Sequence, residues 1–340
     1  FCLFASLLEA SYLSESLQLN HELAVKSKKI RCCMLGSKTN SNENPKKFFL
    51  SALSISLGVF ISVVPSVFPV ENESSFQTII ISEEIFPTNK IEGETENQFR
   101  KANNLSSMGK FDEAFKLYNA VLKSSPGYIY GFSNRANVQI ARGELQSAIS
   151  DYDRAIKLSE KDPSIKIPDL WLMHLNRGTT YMVLGDEEKS MEDMNLAVSL
   201  NKRKDFLTLI NRGQLLERLG RWEEALNDYS TAINLNSSSV QPWWVRYALV
   251  LYQQDSVNDA LSIAKRTAAK FGIEPEPLAT LTTILYGKGD TTEALKTWEK
   301  IPLQERDGFL NYSYLSDQLH WPPKPIESIQ EFGRLVYNPK

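Results

Sequence analysis

From about Thr95 onward, apolar and small residues recur in paired helical stretches divided by a glycine. The stretch Arg212–Leu235, RGQLLERLGRWEEALNDYSTAINL, shows the unit most clearly. Gly213 and Ala225 are small where two helices must come close, and Leu216 and Tyr229 are large enough to fill the space beside them. Gly220 ends the first helix, because a chain reversing at a helix end needs the left-handed conformation that glycine adopts freely. Glu223 and Glu224 then open the second helix, placing acids at its positive end. The pattern predicts a helix–turn–helix with one apolar strip that it cannot bury alone.

The unit repeats. Turn glycines stand at 109, 143, 185, 220 and 289, with the first three steps 34, 42 and 35 residues. The matching small residues of the second helices are Ala114, Ala148, Ser190, Ala225, Ala260 and Ala294. This small/large alternation, with a period of about 34 residues, resembles the tetratricopeptide repeat. Six copies are expected, starting near Thr95, Ile129, Trp171, Phe206, Gln241 and Pro275. The resemblance implies an all-α fold, a right-handed α-solenoid of helix pairs. The longest step reflects an insertion at Pro163–Leu170, expected to be a surface loop. Gln139 stands where the second repeat should have a large aromatic, Asp255 stands in the fifth turn, and Pro302 cuts the sixth repeat short.

Around the array, 95–308, the polar pattern divides the chain. Residues 1–47 are serine-rich and net +3, against −6 for the remainder, and resemble an organelle transit peptide. The other reading of this leader is a tail without an address. Phe48–Val70 carries no charge over 23 residues and follows Lys46–Lys47, which fits a cleaved signal or a membrane anchor. Together the two resemble a bipartite plastid signal directed to the thylakoid, with a secretory-pathway membrane or lumen as the alternative. Residues 71–94 are polar and irregular, which suggests a linker. In 309–340, Tyr312–His320 is a short helix candidate stopped by Trp321-Pro322-Pro323. Pro325 opens a last helix whose stripe of Ile326, Ile329, Phe332, Leu335 and Val336 would cap the array. This tail is similar to those of plastid and cyanobacterial members of the family.

Composition removes several functions. The net charge of −3 gives no basic face for nucleic acid. All three cysteines lie at 2, 32 and 33, ahead of the array, so the repeats hold no disulfide or thiol chemistry. The three histidines, at 21, 174 and 320, make no metal-ligand cluster with neighbouring carboxylates. His174 sits at a packing position, and His320 is a helix-end residue. The pairs Asp151/Asp153 and Glu192/Asp193 fall on second helices and read as solvated surface. With no nucleophile–base pair either, neither enzyme activity nor a cofactor is expected.

The remaining candidate is a binding groove. The resemblance implies that positions 2, 5, 9, 12 and 13 of each first helix line the inner, concave side. There, and at the Asn-Arg-small motif that recurs at 134, 176 and 211, the expected partner-binding residues are Phe99, Asn103, Tyr130, Asn134, Asn137, Leu172, Leu175, Asn176, Thr179, Met182, Ile210, Asn211 and Gln214. The middle of this surface is apolar, which suits an apolar or extended segment of another protein. The asparagines have two readings: an amide ladder for a peptide backbone, or a bond from each Asn to an exposed carbonyl of the preceding helix while each Arg packs its stem between helices. Co-chaperones of this family grip a terminal carboxylate with Lys and Arg. Here Phe99 and Ser133, Leu172 and Leu207, and Asn176 and Asn211 occupy those cationic positions, which argues against that grip. The expected function is a non-catalytic protein-interaction scaffold, with a co-chaperone or a regulatory subunit of an enzyme as alternatives.

Overall fold

The structure is a computed structural model and describes residues 85–201, 205–236 and 239–337. The leader 1–47, the apolar run 48–70 and residues 71–84 of the linker lie outside the described residues.

Among the described residues, six helix pairs follow one another. They begin with α1 (Gly93–Ser107) and α2 (Phe111–Ser124), α3 (Ile129–Ala141) and α4 (Leu145–Lys161), and α5 (Leu170–Leu184) and α6 (Glu187–Leu200). Then come α7 (Phe206–Arg218) with α8 (Trp222–Leu235), α9 (Trp244–Gln253) with α10 (Val257–Phe271), and α11 (Pro275–Gly287) with α12 (Thr291–Trp298). Each helix packs on its partner and on the next pair, so the described residues form an α-solenoid. The turns behave as the sequence requires. Gly109, Gly143, Gly185, Gly220 and Gly289 all have φ between 69° and 92°. In the fifth turn Asp255 takes the same conformation, with φ 61°, against the preference of a residue that has a Cβ. Side chains of Asp186, Asp205 and Asp290 cap the helices after them by accepting from Lys189, Leu207 and Glu293 N–H.

Small residues act where the helices close up. A Cβ added to Gly213 would stand 2.9 Å from the Tyr229 ring, so the ring packs where a side chain would otherwise be. Ala102, Ala114, Ala136, Ala148, Ala225 and Ala260 are fully buried. Ser190, which replaces alanine in the third repeat, is also fully buried and donates to the Gly178 carbonyl at 2.8 Å.

The insertion between α4 and α5 is held from two sides. Ile165 and Ile167 pack on the second repeat's core with Ile85, and Asn89 Nδ2 donates to Lys166 O at 3.2 Å. The chain before α1 lies along the same edge, where Thr88 exchanges main-chain bonds with Gly127 and Ile129. Beyond α12 come the one-turn α13 (Leu303–Arg306), a tight turn at Gly308–Leu310, a wide helical turn at Tyr314–Gln318, and α14 (Pro323–Tyr337). The last helix thus starts at Pro323, ahead of Pro325. It buries Ile326, Ile329 and Phe332 in a core shared with repeats 5 and 6.

The carboxylates expected to be solvated need correction. Asp151 and Asp193 are 6% and 2% exposed. Each faces inward across its hairpin and receives a forked guanidinium: Arg135 on Asp151, with both bonds 2.7 Å, and Arg177 on Asp193 at 2.7 and 2.8 Å. Arg212 grips Asp228 in the same way at 2.8 Å. In all three the acid follows the arginine at the same spacing, 16 positions, which places it directly across the helix pair. Each arginine also reaches back to the preceding repeat, at Asn119, Asp153 and Asn195. The recurring Arg therefore staples repeats together through charge-assisted bonds in addition to packing its stem. His174 is buried, with Nδ1 2.8 Å from Asp193, completing that carboxylate's partners.

Candidate first-helix binding face

The residues singled out from the sequence separate into two groups. Phe99, Leu175, Met182 and Ile210 are buried at 9%, 3%, 8% and 1% exposure. Phe99 packs edge-on against Tyr118 and Tyr128. Asn103, Tyr130, Asn134, Asn137, Leu172, Asn176, Thr179, Asn211 and Gln214 remain partly exposed on the first helices of repeats 1–4.

The asparagines are ordered by one another. Asn103 Oδ1 accepts from Tyr118 Oη at 2.6 Å and from Asn134 Nδ2 at 2.9 Å. Asn137 Oδ1 likewise accepts from Tyr152 Oη and from Asn176 Nδ2, the latter at 3.1 Å. Burial holds both tyrosines protonated, pushing their phenols well above the usual range, so they remain donors. With Oδ1 doubly engaged, the amides of Asn103 and Asn137 are fixed in orientation. Their Nδ2 groups have no partner among the described residues. Asn134 and Asn176 thus bond side chains of the preceding first helix rather than its carbonyls, and Asn211 Nδ2 donates to Leu207 O of its own helix at 2.8 Å.

On repeats 5 and 6, and at the end of α7 in repeat 4, the same face is covered. Glu217 on α7 is 3% exposed, and its Oε2 accepts from Tyr229 Oη at 2.7 Å and Arg246 Nε at 3.1 Å. Its Oε1 has no partner among the described residues. Burial raises the Glu217 carboxyl above the ordinary range, while Arg246 and Tyr229 pull it back. Burial opposes the charge of Arg246, but Glu217 beside it more than offsets this and keeps the guanidinium ionised. Arg246 spends its outer nitrogens on the main-chain carbonyls of Leu319 and His320, at 2.5 Å each. Glu276 accepts from the Trp321 indole at 3.0 Å, and Gln253 accepts from Lys324 N–H at 2.9 Å. This cluster escaped the sequence reading. Its one signal was Arg246, the single charge in the run Trp243–Tyr252, WWVRYALVLY.

Among the described residues no group of His, Cys, Asp and Glu is arranged to hold a metal ion, and no helix is long and apolar enough to cross a membrane.

Models of the tetratricopeptide repeat match residues 99–164, 173–204 and 206–239. No curated protein matches the chain. Among solved structures, a tetratricopeptide repeat protein of Parabacteroides merdae is 18% identical, with TM-score 0.51 over 73% of this chain and 95% of that one. PilW, described as a widely conserved type IV pilus biogenesis factor, is 13% identical, with TM-score 0.54 over 70% and 99%. PilF of Pseudomonas aeruginosa is 15% identical, with TM-score 0.54 over 66% and 97%. At such identities the likeness is one of fold.

Proposed function

The chain is a tetratricopeptide repeat protein, a scaffold for protein–protein interaction, and on that premise we propose that it works without catalysis. It holds an uncharged, extended or apolar segment of a partner on the first-helix face of repeats 1–3. One observation carries this reading: that face is open and lined by oriented amides, while the face of repeats 5 and 6 is filled by the chain's own tail. Asn103 and Asn137 present fixed donors one repeat apart, suited to the carbonyls of a peptide main chain. Tyr130 on α3 and Leu172 and the aliphatic part of Thr179 on α5 offer partly exposed apolar surface on the same face. Burying roughly 200 Å2 of apolar ligand area there would contribute about 5 kcal/mol before ordering costs, which fits a micromolar partner. The amide side chains on the face, with no Lys or Arg at the positions noted above, do not suit a terminal carboxylate.

The same proposal places the protein at a plastid membrane, in the assembly or maintenance of a thylakoid complex. Its support is the serine-rich, net-positive stretch 1–47 followed by the uncharged run 48–70. Tagged full-length protein, fractionated and cross-linked in cells, tests both parts. Recovery with thylakoid membranes and a cross-linked peptide partner is expected; recovery from cytosol alone defeats the location. Asn137→Ala and Leu172→Glu, each on a partly exposed side chain, should reduce partner capture at least tenfold with helicity unchanged. Capture that survives both substitutions refutes the face.

A further inference from the structure

The first-helix face changes character partway along the array. The ninth position of the first helix is half-exposed in repeats 1–4, at Asn103, Asn137, Thr179 and Gln214, but Leu249 in the fifth repeat is fully buried. Val245 and Tyr252 beside it are 3% and 4% exposed. They share a core with Leu278, Ala279 and Leu285 of α11 and with Leu319, Trp321 and Ile326 of the tail, and Tyr252 Oη donates to Ser328 Oγ on α14 at 3.1 Å.

The manner of docking is informative. The array holds this stretch by side chains, with Trp321, Pro322, Pro325 and Ile326 buried, and also by its main chain. Arg246 donates to the successive carbonyls of Leu319 and His320, which end the helical turn Tyr314–Gln318 and so lack partners of their own. Gln253 accepts the Lys324 N–H, and Glu276 accepts the Trp321 indole. From the fourth repeat, Arg218 reaches His320 Nε2 at 3.0 Å. These contacts would hold a segment of any chain with a turn ending in free carbonyls followed by an aromatic–proline step. The connection to the array is tied by Arg306, which donates to the Ile301 and Glu299 carbonyls at 2.9 Å each, while Pro302, Leu303, Gln304, Glu305 and Asp307 are exposed and accessible to a protease.

We propose that the first-helix face of repeats 4–6 is a second peptide-binding site, held closed by residues 319–326, and that the tail competes there with partner segments of the same chemistry. The proposal rests on residues separate from the face of repeats 1–3. A tethered segment acts at millimolar effective concentration, so a free competitor meets the site only in the fraction of molecules whose tail has lifted. With the tail closed 99 times in 100, the apparent affinity of that competitor falls about 100-fold.

The test uses the full chain with Leu303–Glu305 replaced by a protease recognition sequence and cut after folding. The probe is a fluorescent synthetic peptide of residues 308–340. Nicked protein should keep the helicity of its repeats, release its tail and bind the probe saturably, at least 100-fold more tightly than uncut protein. A probe carrying Trp321→Ala should bind at least tenfold more weakly. If the tail leaves only as the repeats unfold, or if cut and uncut protein bind alike, the stretch is an integral cap and the proposal is overturned. Hydrogen exchange on the unaltered chain gives an independent reading. Amides of 319–328 should exchange faster than those of α9 and α11 beneath them; equal protection also overturns the proposal.

Discussion

Glu217 and Arg246, on the first helices of successive repeats, form an ion pair at 3.1 Å in which both side chains are at least nine-tenths buried. Isolated charges at such burial would be costly. Here each is held by other groups as well: Glu217 by the Tyr229 hydroxyl, Arg246 by two carbonyls of the tail. The pair thus joins repeat 4, repeat 5 and the C-terminal segment in one polar junction within an otherwise apolar core.

Removing one partner leaves the other charge buried and uncompensated. Arg246→Met is expected to destabilise by about 3–5 kcal/mol, whereas the double change with Glu217→Leu should recover much of that loss. Urea unfolding of the two variants reads the difference. A double variant no more stable than the single one would show that the pair is not the coupled unit described.

Arg212→Lys keeps the charge but loses the fork on Asp228 and the bond to Asn195. A loss of roughly 1–3 kcal/mol is expected, because an ammonium cannot make both parallel bonds. Denaturant midpoints check it, with Arg221→Lys as the control, since the Arg221–Glu224 pair is exposed and the midpoint should barely move.

Two backbone positions should respond in opposite senses. Gly213→Ala drives a methyl to 2.9 Å from the Tyr229 ring and is expected to cost about 1–3 kcal/mol. Asp255→Gly relieves a left-handed residue that has a Cβ, and should stabilise by about 1 kcal/mol, less whatever its exposed pairing with Lys324 contributes. Thermal midpoints moving down for the first and up for the second are the expected result.

Acid should loosen the junction through His320. Its folded pKa is lowered from 6.5 to about 4, first by burial and then by the charges of Arg218 and Arg246. Between those two pH values the unfolded chain takes up a proton that the folded chain refuses, so stability falls as pH drops from about 6.5 to about 4. Glu217 and Glu276 act the other way, since burial raises both and the folded form takes up their protons first. Subtracting the profile of His320→Gln from that of the unaltered chain isolates the histidine. A difference that stays flat across that window counts against the assignment.

How legible this was depends on the range of each interaction. Turn glycines and buried alanines are dictated by steric demands inside a single hairpin, so Gly109 to Gly289 and Ala114 to Ala294 marked the repeats directly. The recurring Arg-to-Asp spacing is equally local, yet it does not mark Asp151 and Asp193 as buried. A carboxylate on a second helix looks solvated until its partner across the hairpin is found. The bonds from Asn134 to Asn103 and from Asn176 to Asn137 depend on how closely one repeat stacks on the next.

The linear order of small, large and turn residues was sufficient to determine the helix pairs, their number and their stacking, because each contact involved lies within a hairpin or between adjacent ones. Which part of the inner face stays open was decided only in three dimensions. Arg246 meets Leu319 and His320 from two repeats away along the chain. No periodic pattern records a contact that occurs once, between segments of unlike structure.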